Sequence, residues 1–270
     1  MYRPEIILEG AKNARDLGGM ELPGGRIKPH RLIRSGMLAR ISDSDVECLR
    51  GIGLRTVIDF RTAAERAQKP DRVIPGVNYV NCMLLQDKTE GVTRDVPETL
   101  EEEAARTVAM ARRLMARDPD GRAQMRSLYP ILVTDEHSVA NYRRFFELLL
   151  EHEQGALLYH CTMGKDRVGT ATALLLTALS ADRETIMHDY LITAERCADG
   201  TAALLDRCRA FTDSEAELEF IYRLDTVEDS FLNAMFQTLD AVYGGAECFL
   251  TDVMLLDGEK REKLRQLYLE

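Results

Sequence analysis

The chain has 270 residues, 45% of them hydrophobic, and its 35 basic and 45 acidic side chains give a formal net charge of −10 at pH 7. A chain of this length and hydrophobic content can bury a full core, so a single domain over residues 1–270 is predicted. The negative charge argues against nucleic acid as a partner, and no stretch approaches the ~20 apolar residues that a transmembrane helix requires.

Three short runs rich in β-branched and apolar residues are predicted as strands, at residues 56–60, 77–82 and 156–160. Longer amphipathic segments separate these runs, a pattern typical of a small sheet flanked by helices. After Val168 nearly the whole sequence has helical apolar spacing, so the C-terminal third is predicted to be largely helical. The fold class indicated is α/β.

The segment from Pro97 to Asp118 is predicted to be a helix. Acidic residues cluster at its start and basic residues at its end, which is the order that a helix dipole favours. Apolar residues recur along one stripe, at Leu100, Ala104, Val108, Ala111 and Met115. This stripe predicts that the helix packs one face against the rest of the protein.

The most informative stretch is residues 160–169, HCTMGKDRVG, which follows an apolar run and precedes an Ala/Leu/Thr-rich helical segment. This order brings Cys161 close to the N–H groups at the start of a helix, which favour both a phosphate dianion and a thiolate. Arg167 can hold two phosphate oxygens in a bidentate fork, and Gly164 permits a tight turn around the anion. The chemistry indicated is hydrolysis of a phosphate ester through a cysteinyl-phosphate, with no metal or cofactor.

Two other interpretations fit the loop taken alone. A buried cysteine is usually a small hydrophobic residue without a chemical role. Rhodanese-like sulfur transferases also use a cysteine loop of this size. The position of the loop between a strand and a helix favours anion chemistry over a purely structural cysteine, and sulfur transfer stays open as an alternative.

The loop HCxxGKDR resembles that of the bacterial tyrosine phosphatases called family 3, which are atypical enzymes with dual or broader specificity. Further segments agree with that family in type and order, so the likeness covers most of the chain. They are residues 13–19 (NARDLGG), 34–36 (RSG), 58–61 (IDFR) with Glu65 beyond, 189–191 (DYL) and 243–245 (YGG). The resemblance implies a cysteine-phosphatase-like fold with a small, mostly parallel central sheet flanked by helices, and a helical insertion at residues 97–118 that can cover the active site as a lid. The alternative for this segment is a helix packed permanently on the core.

The resemblance also implies that Asp166, inside the phosphate loop, protonates the leaving oxygen. The residues themselves leave alternatives open. A carboxylate at this position can instead cap the following helix. Asp59 ends a predicted strand, so its carboxylate would emerge at the sheet edge where such sites gather, and it is the alternative general acid.

Two loop residues bear on substrate and turnover. Lys165 adds a second cation, as in phosphatases that accept phosphoinositides or inositol phosphates, or else balances the charge of Asp166. Val168 stands where most cysteine phosphatases carry a Ser or Thr hydroxyl that stabilises the departing thiolate, and Thr162 and Thr170 are the candidates to replace that hydroxyl.

Because the net charge is negative, any attraction of an anionic substrate must be local. A patch would form if the separate motifs converge in space, and its members would be Arg15, Arg34, Arg61, Lys165 and Arg167. The predicted substrate-binding residues are Thr162, Met163, Gly164, Lys165, Val168, Asp59 and Arg61. No metal site is expected.

The sequence therefore predicts a protein-tyrosine phosphatase in which Cys161 attacks phosphorus, Arg167 binds the phosphate and Asp166 donates a proton. Dual specificity toward phosphoserine and phosphothreonine extends this prediction. One alternative is a phosphoinositide or inositol-phosphate phosphatase on the same scaffold, favoured by Lys165. The other is a non-catalytic phospho-ligand binding module, favoured by Val168. The expected partners are phosphorylated substrates, with inorganic phosphate as the product.

The six cysteines lack paired metal spacing and suit a reducing compartment. No N-terminal segment has the features of a cleaved signal peptide, so a cytoplasmic location is expected, with export without a cleaved signal left open. Cys82 follows the predicted strand at 77–82, which raises the hypothesis that it traps oxidised Cys161 as a disulfide.

Overall fold

A computed structural model describes residues 6–86 and 99–270. The strands of its main sheet are β1 (Arg15–Asp16), β4 (Leu32–Ser35), β5 (Leu54–Asp59), β6 (Asn78–Asn81) and β7 (Ala156–His160). They lie in the order β1-β4-β7-β5-β6, in which β4, β7, β5 and β6 are parallel and β1 is antiparallel to β4. A separate hairpin pairs β2 (Glu21–Leu22) with β3 (Gly25–Arg26). The prediction of a small, mostly parallel sheet is confirmed.

Helices account for most of the remaining described residues. Their bounds are α1 (Asp43–Gly51), α2 (Ala63–Gln68), α3 (Leu100–Met115), α4 (Gly121–Thr134), α5 (Glu136–Glu151), α6 (Asp166–Ala178), α7 (Arg183–Cys208), α8 (Glu215–Asp225), α9 (Asp229–Tyr243), α10 (Ala246–Cys248) and α11 (Gly258–Tyr268), with a π-helical turn at Phe249–Val253. The predicted helical C-terminal third is confirmed. None of the helices that the structure describes is long and apolar enough to cross a membrane.

The sheet separates two hydrophobic cores. Along β7, Leu157 and Tyr159 pack into the larger core with the C-terminal helices, while Ala156 and Leu158 pack into the smaller core with residues of α1. This alternation follows from strand geometry, because successive side chains point to opposite faces. Since β7 has a parallel neighbour on each side, all five of its residues are buried.

The three predicted strands are found at nearly the expected bounds, but β4 lay outside the sequence prediction. Its residues Arg34 and Ser35 are polar, which interrupts the apolar pattern by which a buried strand is recognised. Both polar residues are nevertheless fully buried. Their burial suggests a role at the carboxyl end of the strand.

The predicted helix at 97–118 is found as α3, with the Thr99 side chain accepting a hydrogen bond from the N–H of Glu102 at its start. Residues 97 and 98 lie outside the described part of the chain. Ala104, Val108 and Ala111 are buried as predicted, whereas Leu100 is 51% exposed. The stripe continues through Leu114, because α3 packs against α7 and α8 along that face.

The hypothesis of a disulfide between Cys82 and Cys161 is not supported by the strand order. Strand β5 lies between β6 and β7, with Asp59 level with both Asn81 and His160. The two cysteines are therefore two strand spacings apart, a distance of about 9–10 Å. Bridged cysteines have Cα atoms within about 7 Å, so this disulfide would require the backbone to move.

Candidate active site

The phosphate loop, residues 161–165, connects the carboxyl end of β7 to the start of α6. Cys161 lines a cavity and is only 2% exposed. The same cavity is lined by Thr162, Met163, Lys165, Asp166 and Arg167. The strand-loop-helix arrangement predicted from the sequence is therefore present, with the free N–H groups of the first turn of α6 beside the cysteine.

Gly164 has a conformation that only glycine adopts without strain. Its φ is +67°, and a Cβ atom built there would lie 2.6 Å from the carbonyl carbon and oxygen of Ser35. The Gly164 carbonyl accepts hydrogen bonds from Asn13 Nδ2 at 2.7 Å and from Arg34 Nη2 at 3.0 Å. The loop is thus packed tightly against the end of β4 and held there by two donors.

Arg167 is fixed by a carboxylate from α2. Its Nη1 donates to Glu65 Oε2 at 2.7 Å and its Nη2 to Glu65 Oε1 at 2.8 Å. The Thr162 hydroxyl also donates to Glu65 Oε1. Burial alone would raise the pKa of Glu65, but the Arg167 charge and the hydrogen bonds from Arg167 and Thr162 hold it below its usual range. Glu65 therefore stays ionised at neutral pH and orients the guanidinium.

Asp166 begins α6 and lies at the cavity wall. Its Oδ1 accepts a hydrogen bond of 2.8 Å from the Tyr129 hydroxyl, which is also bonded to the Tyr190 hydroxyl. Burial and the negative charge of Asp166 raise the pKa of Tyr129 well above its usual value. Tyr129 therefore remains protonated and can act as a donor to the aspartate.

Lys165 is buried and does not present a free ammonium group. Its Nζ donates to the carbonyls of Leu224 at 2.6 Å and Thr226 at 3.2 Å, at the end of α8, and lies 3.6 Å from Asp166 Oδ2. These contacts bear on both roles that the sequence suggested for Lys165, binding of a second phosphate and charge balance for Asp166. The Lys165 ammonium partly balances the negative charge of Asp166. Its N–H donors are bound mainly by the carbonyls of Leu224 and Thr226, so they are not available to a second phosphate.

Asp59 and Arg61 lie apart from the residues that line the cavity. Arg61 donates to Asp59 through Nε and Nη2, and its Nη2 lies 2.8 Å from Asp71 Oδ2. Arg61 Nη1 also donates to the Lys69 carbonyl. These contacts use the groups that were predicted to bind substrate, so Asp59 and Arg61 form part of an ion-pair network outside the cavity lining.

One cluster in the described part of the chain has the donor types of a metal site. Ligand atoms of Asp59, Asp71 and His160 lie within 4.8 Å of one another. The Arg61 guanidinium already pairs with both aspartates. His160 Nε2 lies 3.0 Å from Asp71 Oδ2. The cluster is accounted for as an ion-pair network, so it does not favour a metal site.

Thr162 and Thr170 are the candidates to supply the hydroxyl that Val168 lacks, and both of their hydroxyl groups make other hydrogen bonds. The Val168 side chain is fully buried in the larger core. The Thr170 hydroxyl donates to the Asp166 carbonyl at 3.0 Å, and that of Thr162 donates to Glu65. Both candidate hydroxyls therefore already have acceptors of their own.

The walls of the cavity are mainly apolar and come from three helices. Met110 belongs to α3, Met125 and Leu128 to α4, and Leu224 and Asp225 end α8. Met163 of the loop adds a further apolar side chain. The helical segment that was predicted as a lid thus contributes one wall residue, Met110, to the site.

Cys161, Asp166 and Arg167, which the sequence prediction grouped in one loop, line one cavity, but the sequence prediction gave no role to two residues that hold Arg167 and Asp166. These are Glu65 and Tyr129. Arg34, predicted as a member of an anion-attracting patch, instead donates to the Gly164 carbonyl and does not line the cavity. A signal existed for Glu65, because Thr62 and Glu65 have the spacing of a helix capping box, which the structure contains. Nothing in the spacing of Tyr129 indicated its contact with Asp166, 37 positions away.

Comparison with known proteins agrees with this geometry. The sequence model described as "Tyrosine phosphatase family" matches residues 6–270. A Cupriavidus necator protein named "Putative tyrosine-protein phosphatase" is 33% identical over 258 residues, which cover 94% of this chain and 86% of the relative. The triple specificity protein phosphatase PtpB of Mycobacterium tuberculosis is 29% identical over 266 residues, covering 91% and 92%. A tyrosine-protein phosphatase of Nostoc commune is 30% identical over 164 residues, covering 60% and 48%.

Proposed function

The chain belongs to the tyrosine phosphatase family, and we propose that Cys161, Arg167 and Asp166 hydrolyse phosphotyrosine esters in the cavity at the end of β7. The observation that carries the proposal is that all three side chains line one cavity. Cysteine, arginine and aspartate at one anion-binding loop supply a nucleophile, a phosphate clamp and a proton donor.

The reaction proceeds in two steps. In the first, the Cys161 thiolate attacks phosphorus, the bond from phosphorus to the phenolic oxygen breaks, and protonated Asp166 gives its proton to that oxygen. In the second, Asp166 takes a proton from a water molecule, which attacks phosphorus and breaks the phosphorus–sulfur bond. The products are a phenol and inorganic phosphate, and the thiolate and the protonated Asp166 are regenerated.

The contacts of Arg167 leave donors for the substrate. A guanidinium has five N–H donors. Glu65 accepts two of them, and Thr162 Oγ1 lies 3.3 Å from Nη2 as a third acceptor. The remaining donors can hold two phosphate oxygens, and the pairing with Glu65 keeps the guanidinium plane in position while they do so.

The cavity walls favour an aryl phosphate over a polyanionic one. Met110, Met125, Leu128 and Met163 offer thioether and aliphatic surface to an aromatic ring. Asp166 and Asp225 add negative charge, while the Lys165 ammonium is held by carbonyls of α8. We therefore place phosphotyrosine first among substrates, with phosphoserine and phosphothreonine slower because they lack the ring.

Phosphoinositides remain the second candidate, because Lys165 lies within the phosphate loop and needs only to leave the carbonyls of Leu224 and Thr226 to reach a second phosphate. A relative that matches most of the chain is named a triple specificity phosphatase. The non-catalytic alternative rests on Val168 alone. It is less favoured because Cys161, Asp166 and Arg167 are all present at the cavity.

We further propose that residues 97–118 form a wall of the site that limits which substrates enter. Met110 of α3 reaches the cavity, and α3 packs against α7 and α8. Replacing this segment by a short linker should widen the range of accepted aryl phosphates. An unchanged substrate range would contradict this role.

The single domain over residues 1–270 and a cytoplasmic location are part of the same proposal. All six cysteines are free thiols, which suits a reducing compartment and a thiolate nucleophile. Fractionation of the native cells, with detection of the protein by antibody, tests the location. Recovery in the culture medium would contradict it.

A substrate panel tests the proposed function. We expect release of phosphate from a phosphotyrosine peptide to exceed that from a phosphoserine peptide and from a phosphoinositide in detergent. Chelator should leave the rate unchanged, since none of the proposed steps uses a metal. Faster hydrolysis of the phosphoinositide would favour the second candidate, and absence of hydrolysis with retained phosphate binding would favour the binding module.

A further inference from the structure

Two arginines beneath the phosphate loop share one carboxylate. Arg15 of β1 pairs with Asp189 through Nε and Oδ1 at 2.9 Å, and Arg34 of β4 pairs with the same residue through Nη1 and Oδ2 at 2.5 Å. Both arginine side chains are fully buried and Asp189 is 1% exposed. We call Arg15, Arg34 and Asp189 the arginine cluster.

The arginine cluster has one more positive charge than negative charge. Its two guanidinium groups count +2 and its carboxylate −1, and Asp189 is the one carboxylate paired with either arginine among the residues that the structure describes. The other partners of Arg15 are neutral, namely Asn13 and Thr193. Burial and the Arg15 charge lower the pKa of Arg34, whereas Asp189 and Cys161 raise it. Guanidinium groups nonetheless stay protonated in proteins, so the excess charge is retained.

This charge lies directly behind the phosphate loop. Arg34 Nη2 donates to the Gly164 carbonyl at 3.0 Å, and the next residue of β4, Ser35, is level with His160, which directly precedes Cys161. The second donor to the same carbonyl, Asn13 Nδ2, is neutral. One oxygen atom of the loop is therefore held by a charged donor and by an uncharged donor, which allows the effect of charge to be separated from that of loop geometry.

We propose that Arg34 is a positioning residue whose uncompensated positive charge stabilises the Cys161 thiolate and the bound phosphate dianion from beneath the loop. Arg34 does not line the cavity, so it acts through the loop and through the electrostatic field. Charges in a buried environment interact more strongly than in water and are little screened by salt. The inference rests on the proposed role of Cys161 as the nucleophile.

The test measures alkylation of Cys161 by iodoacetamide as a function of pH, with the labelled residue identified by peptide mass spectrometry. In Arg34→Gln the charge is lost while an amide donor to Gly164 remains. The pH of half-maximal alkylation should rise by about one unit, which corresponds to about tenfold less thiolate at a fixed lower pH. Arg34→Lys keeps the charge and should restore most of the wild-type profile.

Two further variants make the test independent of general damage to the loop. Asn13→Gly removes the neutral donor to Gly164 and an acceptor of Arg15 without changing any charge, at a residue whose φ of +55° suits glycine, so its alkylation profile should shift much less than that of Arg34→Gln. Asp189→Asn raises the excess charge from +1 to +2, so alkylation should shift to lower pH, the opposite direction to Arg34→Gln. Disruption of the loop would not produce this reversal of sign.

Equal shifts in Arg34→Gln and Asn13→Gly, or a shift to higher pH in Asp189→Asn, would overturn the proposal. Should Arg34→Gln fail to fold, Asp189→Asn decides the question alone. Failure of the proposed function has a different signature: phosphatase activity would persist in Cys161→Ser or in fully alkylated wild-type protein, whatever the charge variants show.

Discussion

Glu65 and Arg167 form two parallel hydrogen bonds, with Oε2 2.7 Å from Nη1 and Oε1 2.8 Å from Nη2, and both side chains are nearly fully buried. Such a fork fixes the plane of the guanidinium as well as its position. Because Glu65 also accepts a hydrogen bond from the backbone N–H of Thr62, the arginine is tied to the first turn of α2. The proposed phosphate clamp is therefore built before the substrate arrives.

Glu65→Gln should weaken this clamp. The change leaves the Arg167 charge without its partner, so we expect kcat/KM to fall by about 10- to 100-fold and the free energy of unfolding to fall by about 3–5 kcal/mol. Steady-state kinetics and chemical denaturation measure the two effects. Glu262→Gln, which removes an exposed partner of Arg265, is the matched control and should change neither quantity. Equal behaviour of the two variants would contradict the assigned role of Glu65.

Asp166→Asn should show whether Asp166 is the general acid, because the loss of activity should depend on how basic the leaving oxygen is. Loss of a general acid typically costs about 10²- to 10⁴-fold, but the cost shrinks when the leaving oxygen is weakly basic. We expect a large loss of kcat with phenyl phosphate and a much smaller loss with p-nitrophenyl phosphate. Asp59→Asn should affect both substrates alike, because Asp59 is paired with Arg61 outside the cavity. The reverse pattern would identify Asp59 as the acid.

The strand bounds and the strand-loop-helix arrangement around Cys161 could be predicted from the sequence because they depend on local order. Apolar residues before Cys161 and helix-forming residues after Arg167 were enough to predict an anion-binding turn. The position of Lys165 was not readable in this way. Its Nζ is bound by carbonyls of α8 that lie 59 and 61 positions further along the chain.

For Asp59 and Arg61, too, the contacts that determine their role could not be predicted from the sequence. The strand end correctly placed them near the carboxyl edge of the sheet, but their partner Asp71 lies in a segment without a regular pattern. Pairing with Asp71 turns Arg61 from a candidate substrate ligand into part of a buried network. Strand β4 was missed for a related reason, because its buried Arg34 pairs with Asp189, 155 positions away, which it shares with Arg15.

Met125→Ala should reduce the preference for aromatic substrates. Met125 lines the cavity, and removal of its thioether takes away contact surface for a phenyl ring. We expect the ratio of kcat/KM for phosphotyrosine peptide over phosphoserine peptide to fall by about tenfold, the usual scale of a lost apolar contact. Ile131→Ala, on the exposed face of the same helix, is the control. A ratio that changes equally in both variants, or in neither, would count against the apolar wall.

The network beneath the loop should make stability depend on pH. Burial alone would lower the pKa of His160, but the Asp59 and Asp71 carboxylates raise it above its usual value of about 6.5. Its protonation therefore stabilises the fold fully below about pH 6.5, and this contribution is lost as the pH rises through the raised pKa. The pKa of Asp71 is lowered: burial opposes this shift, but the hydrogen bond and charge of His160 and the charge of Arg61 outweigh it, so Asp71 remains ionised over the same range.

Denaturation at about pH 6 and at about pH 8 tests this dependence. The free energy of unfolding of the wild type should fall between the two values by more than that of His160→Gln. Exposed His188→Gln should follow the wild type. Parallel pH dependence in the wild type and in His160→Gln would show that the His160 ionisation does not contribute.

The central claim is that a phosphoryl group is transferred to the sulfur of Cys161, which lies with Arg167 and Asp166 at one cavity. Rapid acid quenching after mixing with phosphotyrosine peptide, followed by peptide mass spectrometry, measures this transfer directly. We predict a phosphorylated peptide carrying the modification on Cys161, absent from Cys161→Ser, which should retain phosphate binding but lose turnover. Turnover that persists in Cys161→Ser, or a phosphoryl group found on a different residue, would contradict the account.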